Sequence, residues 1–330
     1  MTAATNSEMV TVSREALAVG SKSFHMASKF LAPGQRNDAA TLYAFCLMVD
    51  EAADEAPTVA IAQTSLARIE DELWGRSPAS TFMGFFLAMA DRRDVDLSHA
   101  QNLIDGVRSD LSEVRMVDDR ELLRYCYRVA STVGLMMCGV LGVRDRVALP
   151  FAVDLGVAMQ LTNICRDVKE DAGLGRVYVP AERLVAVGLT PDDLLNDRVD
   201  REALAKVVRA LLELADGYYQ SANGGLRYIP FGPRLAIAVA SRVYRAIGHK
   251  LRRHGADAWQ GRTVVGTAGK VFEAVRAMVA FAGPNISGWS SPRVHTPQLH
   301  IALQDLPGAN PSAASMALAA STPRLESVCP

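Results

Sequence analysis

Ala158-Met159-Gln160-Leu161-Thr162-Asn163-Ile164-Cys165-Arg166-Asp167-Val168-Lys169-Glu170-Asp171 reads as a helix with one polar stripe. Asn163, Asp167 and Asp171 recur every four residues, which puts them on a single helical face, with Gln160 just ahead of them. Residues 158–165 are otherwise apolar, so this helix should be largely buried. Gln160, Asn163 and Asp167 would then be polar groups in a core, a costly placement unless something satisfies them.

The three-and-four periodicity extends through most of the chain. Leu42, Cys46, Val49 and Ala53 form one stripe, and Leu204, Val207, Val208, Leu211, Leu212 and Ala215 another. Breaks fall at Pro33-Gly34, Ala56-Pro57, Ser77-Pro78, Gly188 to Pro191 and Pro230 to Pro233. No strand pattern alternates with these helices, so the fold class is all-α. The expected organisation is a flexible N-terminus over 1–11, one helical domain over 12–285, and a disordered tail rich in Pro, Ser and Ala over 286–330.

Composition removes several functional classes. The chain has 330 residues, 49% hydrophobic and 22% charged, enough for a sizeable core. Thirty-five Lys and Arg against 36 Asp and Glu give a net charge of −1, which argues against a general nucleic-acid binder. Cys46, Cys126, Cys138, Cys165 and Cys329 show no CxxC spacing, so neither a disulfide framework nor a zinc site is expected. The start is polar and acidic, without a secretory pattern. The uncharged apolar stretch Val129–Val143 has 15 residues, short of the ~20 needed to span a bilayer. A cytoplasmic protein is expected, with peripheral membrane contact as a hypothesis and Phe82 to Leu87 as a stretch to test for it. The sequence gives no oligomeric state.

A second acidic stripe lies in Leu42 to Glu55. Asp50 and Asp54 share a helix face with Tyr43 and Leu47. Alone, this pair reads as a solvated acidic helix end. Facing the stripe of Asn163, Asp167 and Asp171, it becomes an oxygen-only donor set suited to Mg²⁺. A diphosphate could approach such a cluster only through the metal, which would neutralise the leaving group as its C–O bond breaks. An apolar helical cavity would then shield an allylic carbocation from water.

These residues resemble the phytoene/squalene synthase family of head-to-head prenyltransferases, and among them the bacterial phytoene synthases. The similarity is carried by Gly20-Ser21-Lys22-Ser23-Phe24, Leu42 to Glu55, Leu103-Ile104-Asp105-Gly106 with Asp110-Leu111, Tyr125 to Gly134, and Gln160 to Pro180. It implies a single-domain isoprenoid-synthase helical fold with a central cavity. The implied reaction couples two geranylgeranyl diphosphates through prephytoene diphosphate to phytoene. The implied metal ligands are Asp50, Asp54, Asn163, Asp167 and Asp171, holding Mg²⁺ with Mn²⁺ as the alternative. Ser21, Lys22, Ser23, Tyr43, Gln160, Arg166, Arg176, Tyr178 and Tyr244 would contact diphosphate or close the site. No NADPH is expected on this reading.

Lys22 and Arg166 supply charge suited to a diphosphate, and the Gly-bearing loop Gly173 to Tyr178 is suited to fold over bound substrate. Two residues depart from the family pattern. Leu47 stands where an Arg is usual, removing a contact worth ~1.5–3 kcal/mol. Ser131 replaces a Gly and should narrow a helix–helix approach. Two other readings remain: a squalene or dehydrosqualene synthase using farnesyl diphosphate, and a non-catalytic relative acting in assembly or lipid binding.

Overall fold

The computed structural model describes residues 3–282 and 295–310. Fourteen α-helices follow in order: α1 (Ala3–Gly20), α2 (Lys22–Ser28), α3 (Pro33–Asp54), α4 (Val59–Leu73), α5 (Thr81–Arg92), α6 (Leu97–Ser109), α7 (Asp119–Cys126), α8 (Thr132–Leu141), α9 (Leu149–Gly173), α10 (Ala181–Val185), α11 (Pro191–Leu195), α12 (Arg201–Gly225), α13 (Phe231–Arg253) and α14 (Thr267–Ala282). No strand occurs among the described residues, as the all-α reading expects.

Local chemistry sets the ends. Ser21, Thr58, Ser80, Asp118, Thr190 and Asp200 each accept a backbone N–H as N-cap, and Thr190 and Asp193 form a reciprocal capping box. Pro33, Pro150 and Pro191 sit in the first turns, where their missing N–H is not needed.

Two apolar cores flank the centre. One joins α7, α9 and α12, and the other joins α3 to α6 with α8. The central α9 packs chiefly on α12 and also against α8 and α13. It is long and apolar enough to cross a membrane, but most of it is buried inside this protein. Phe82 to Leu87 belongs to the core as well: Met83 and Phe86 are fully buried, and Phe86 stacks on Phe45 at 4.0 Å.

Between α7 and α8, Tyr127–Ser131 forms one turn of π-helix. There α9 comes very close. A Cβ on Gly156 would lie 2.4 Å from Ser131 Cα, so only glycine fits. Ser131 is fully buried and its hydroxyl donates to the Val153 carbonyl at 2.8 Å. The serine therefore ties the two segments together, with Gly156 supplying the room.

Both expected chain ends are corrected. Residues 3–11 are part of α1, whose buried Ser13 and Leu17 face inward and which packs on α3. Residues 295–310, placed in the tail, form a strap with a 3₁₀ segment, Pro297–Leu303, against the α7–α9–α12 core. The strap is held by polar contacts: Tyr127 donates to the Pro307 carbonyl and Tyr218 to the Leu299 carbonyl, each at 2.6 Å. Arg124 grips Asp305 through both carboxylate oxygens. The rest of the expected tail, 286–294 and 311–330, lies outside the described residues, as does Cys329.

Candidate active site

A cavity of about 390 Å³ lies between the two cores. Its walls are almost wholly apolar, with Phe24, Met137, Phe151, Leu155, Met159 and Ile237 among the lining residues. Polar groups enter at one side: Tyr43 and Asp50 from α3, Gln160 and Asn163 from α9, and Tyr244 from α13.

Asp54 lies one turn beyond Asp50 on α3, and Asp167 and Asp171 lie one and two turns beyond Asn163 on α9. Both acidic stripes thus leave the cavity at the C-terminal ends of their helices. Those ends carry partial negative charge, which adds to the carboxylates in favouring a cation. Solvent reaches Asp50, yet protein surrounds it on most sides. Burial, joined by the charges of Asp54 and Asp110, pushes its carboxyl up to about 7. Burial and the neighbouring Asp167 and Glu170 push Asp171 up to about 7 as well.

Asp110, just past α6, was quoted among the family stretches but not assigned to the site. It contributes to the raised values of both Asp50 and Asp171, so it stands between the two stripes. Tyr125 donates to its Oδ2 at 2.8 Å, while its buried Oδ1 has no hydrogen-bond partner. Burial pushes Asp110 up to about 6, against the opposing effects of Tyr125 and Arg176. The buried Asn163 Oδ1 is also without a partner, although Asn163 donates to Gln160 at 3.3 Å. Orphaned oxygens and carboxylates pushed toward neutrality are what an all-oxygen cation site looks like before its ion arrives, so these residues fit Mg²⁺.

Arginines rim this region. Arg166 pairs through two nitrogens with Asp167, which also meets Arg262 at 3.2 Å. Arg176 donates to Asp54 at 2.9 Å. Arg262 is thus a rim cation that the sequence reading did not single out. The loop from Gly173 to Tyr178 is more fixed than a free flap. Val177 exchanges backbone hydrogen bonds with Val114 and Met116, and Arg115 donates to the Gly175 carbonyl. Tyr178 is buried and stacks on Tyr125 at 4.7 Å, so the loop presents Arg176 from an anchored wall.

The remaining candidates divide. Ser21 caps α2 through Phe24 N–H and lies against Tyr244, whose ring stacks on Phe24 at 5.3 Å. Gly20 packs on the Tyr43 hydroxyl, where a Cβ would come within 2.3 Å. Ser23 is half-buried, whereas Lys22 is exposed and faces Lys270. Leu47 is half-buried and brings no charge. Arg36 does not replace it, because its guanidinium donates to the carbonyls of Ser28, Lys29 and Leu31.

An apolar chamber opening on an acidic, arginine-rimmed mouth defines a helical prenyltransferase. The chain belongs to the squalene/phytoene synthase family, whose model matches residues 17–268. It is 40% identical to a 15-cis-phytoene synthase of Enterobacter agglomerans, covering 77% of this chain and 89% of that one. To a 15-cis-phytoene synthase of Pantoea ananas it is 34% identical, over 89% and 96% of the two chains. Its fold matches a crystal structure of a dehydrosqualene synthase in complex with ligand, with a TM-score of 0.73, 23% identity, and coverage of 83% and 96%.

Proposed function

We propose that the protein condenses two geranylgeranyl diphosphates head to head, through prephytoene diphosphate, to phytoene, releasing two diphosphates and two protons. The observation that carries this reading is the union of an apolar cavity of about 390 Å³ with a mouth lined by two acidic stripes. The volume lies in the ordinary range for ligand pockets, ~300–1,000 Å³, and the walls offer a polyisoprenoid tail nothing to hydrogen-bond. The likeness to phytoene synthases of two bacteria favours the C20 substrate.

In this reading Asp50, Asp54, Asn163, Asp167 and Asp171 hold Mg²⁺, with Mn²⁺ as the alternative. When bound, the ion neutralises the diphosphate as the allylic C–O bond breaks. Arg166 and Arg176 are already aligned at the mouth by carboxylates and exchange those partners for phosphate oxygens. Ser21, which lies against Tyr244, contacts the diphosphate in this reading together with Lys22 and Ser23 at the start of α2. Gln160, Tyr43 and Tyr244 orient the head of the substrate where cavity and mouth meet, and Tyr178 braces the wall behind Asp110. The apolar walls keep water from the cation. On this reading the protein works in the cytoplasm and touches membranes through α14, a contact supported by the exposed Val271, Phe272, Val275 and Val279.

The test gives purified protein geranylgeranyl diphosphate and Mg²⁺, with and without NADPH, and identifies the hydrocarbon by mass spectrometry. Phytoene formed without NADPH is the expected result. A C30 product from farnesyl diphosphate alone would move the assignment to a dehydrosqualene or squalene synthase. Intact diphosphates of both lengths would indicate a non-catalytic relative.

A further inference from the structure

On the side of α9 away from the carboxylate mouth, three side chains converge that the prenyl-transfer reading does not use. Asp154 is fully buried in the second turn of α9. The strap brings His295 Nε2 to 3.0 Å from Asp154 Oδ2, and His300 Nε2 to 2.8 Å from Asp154 Oδ1. The two imidazole rings lie 4.3 Å apart, tilted by 50°. One ligand atom from each of the three residues lies within 4.8 Å of the others.

Hydrogen bonding accounts for only part of this arrangement. His300 Nδ1 lies 2.6 Å from the Ala309 carbonyl, which only accepts, so Nδ1 carries the proton. The Nε2 of a neutral ring then points a lone pair at a carboxylate oxygen. His295 Nε2 and Asp154 Oδ2, despite their separation, form no hydrogen bond, and both are buried without a partner. One added proton would make His300 a donor to Asp154 Oδ1, yet the misaligned His295 contact would still form no hydrogen bond. Two would set a pair of imidazolium rings 4.3 Å apart in the core.

We propose that Asp154, His295 and His300 form a metal site that takes Zn²⁺. Two neutral imidazoles and one carboxylate are a borderline donor set, which Zn²⁺ accepts readily and Mg²⁺ does not. The Nδ1–H bond of His300 to a backbone carbonyl is the outer contact that fixes the tautomer of a metal-bound histidine. Tetrahedral zinc with bonds of ~2.0 Å sets its ligand atoms ~3.3 Å apart, so the two His–Asp separations, 3.0 and 2.8 Å, open by a few tenths of an ångström. Three protein ligands leave a fourth position for water or a carbonyl. The ion would fasten the strap to α9 directly behind Phe151, which meets the His295 ring edge-on at 5.3 Å and lines the cavity. The sequence reading excluded zinc on cysteine spacing, which does not bear on a His–Asp site that only the fold assembles.

The experiment uses untagged full-length protein, stripped with chelator and then dialysed against micromolar Zn²⁺ in excess Mg²⁺. About one zinc per chain by elemental analysis is expected, with Co²⁺ in its place giving the visible bands of a four-coordinate ion. His295→Gln and His300→Gln should each weaken zinc binding by at least ~100-fold, since even loss of an outer contact costs ~10–100-fold. Asp50→Asn should leave the zinc content unchanged, separating this site from the mouth. Because the Co²⁺ spectrum is read on the unmodified protein, a variant that misfolds does not decide the matter. Wild-type protein without bound zinc, or zinc lost with Asp50→Asn and kept in both histidine variants, overturns the proposal.

Discussion

Arg176 donates to Asp54 at 2.9 Å across 122 residues of sequence, so the loop that follows one acidic stripe is held by the other. The pair is partly solvated, with Asp54 59% exposed, and such pairs stabilise a fold by only ~0–1 kcal/mol. Its value is positional, because the guanidinium is kept at the mouth before substrate arrives. Arg176→Ala should therefore barely move Tm but lower kcat/KM by ~10–100-fold, the loss of one charge-assisted contact to the diphosphate. Steady-state kinetics alongside a thermal melt checks this. A large drop in Tm with unchanged kcat/KM would make the residue purely structural.

The raised carboxyls predict an unusual stability profile. Asp50 and Asp171 titrate near 7 in the folded protein against an ordinary 3.8, so the folded state holds their protons more tightly than the unfolded chain does. That contribution is complete below about 3.8 and is lost as pH rises through about 7. Metal-free protein should accordingly lose the stability supplied by these groups between about pH 4 and pH 7, against the trend set by its ordinary carboxylates, and Mg²⁺ should restore it above that range. Melts with and without Mg²⁺ across that range test this. Equal effects of Mg²⁺ at pH 5 and pH 8 would contradict it.

Asp110 should tune both groups. Its charge raises Asp50 and Asp171, so Asp110→Asn removes a like charge and should shift the pH midpoint of Mg²⁺ binding downward. Tyr125 keeps a partner in the amide oxygen. Calorimetric Mg²⁺ titrations at several pH values read the midpoint. An unmoved midpoint would place Asp110 outside the electrostatic reach of the stripes.

How much of this was legible in the sequence depends on whether the signal is periodic. Asn163, Asp167 and Asp171 announce themselves by spacing, because one helix carries all three. The helical class follows from the same period, and the cavity from the family resemblance. Asp110 has no such neighbour: it becomes a site residue only because α6 ends beside the α3 and α9 stripes. The strap was misread as disordered because tyrosine hydroxyls, Arg124 and Asp154 grip its backbone and polar side chains. Contacts of that kind leave no apolar period to find. Gly156 and Ser131 are 25 positions apart: the family pattern marks a close helix approach at Ser131, but nothing in either segment names α9 as the partner.

Leu47 offers a gain-of-function test. It is half-buried on the Asp50 face and belongs to neither packed core, and Arg36, three turns earlier on α3, is committed to carbonyls. Leu47→Arg should therefore add a cation at the mouth at little cost in stability, tightening inhibition by inorganic diphosphate ~10-fold in the presence of Mg²⁺. An unchanged inhibition constant with intact folding would show that the existing arginines already saturate the diphosphate.

The contact between Gly156 and Ser131 is the place where packing should be least forgiving. A methyl at 156 would meet Ser131 Cα at 2.4 Å and Ser131 N at 2.5 Å, which are backbone atoms that no rotamer change can move aside. The segment that must shift is the π-turn, whose Val129 and Ala130 line the cavity. Gly156→Ala should consequently destabilise the fold by ~1–3 kcal/mol and also lower activity, because relief of the clash displaces the cavity wall. Ser131→Ala is the matched control. It removes only the hydroxyl bond to the Val153 carbonyl, should cost ~1 kcal/mol, and should leave kcat/KM within about twofold. Denaturant unfolding of both variants, with kinetics at a temperature where each remains folded, separates the two effects. If Gly156→Ala proved as stable and active as the parent, the close approach of α9 to the π-turn would be refuted.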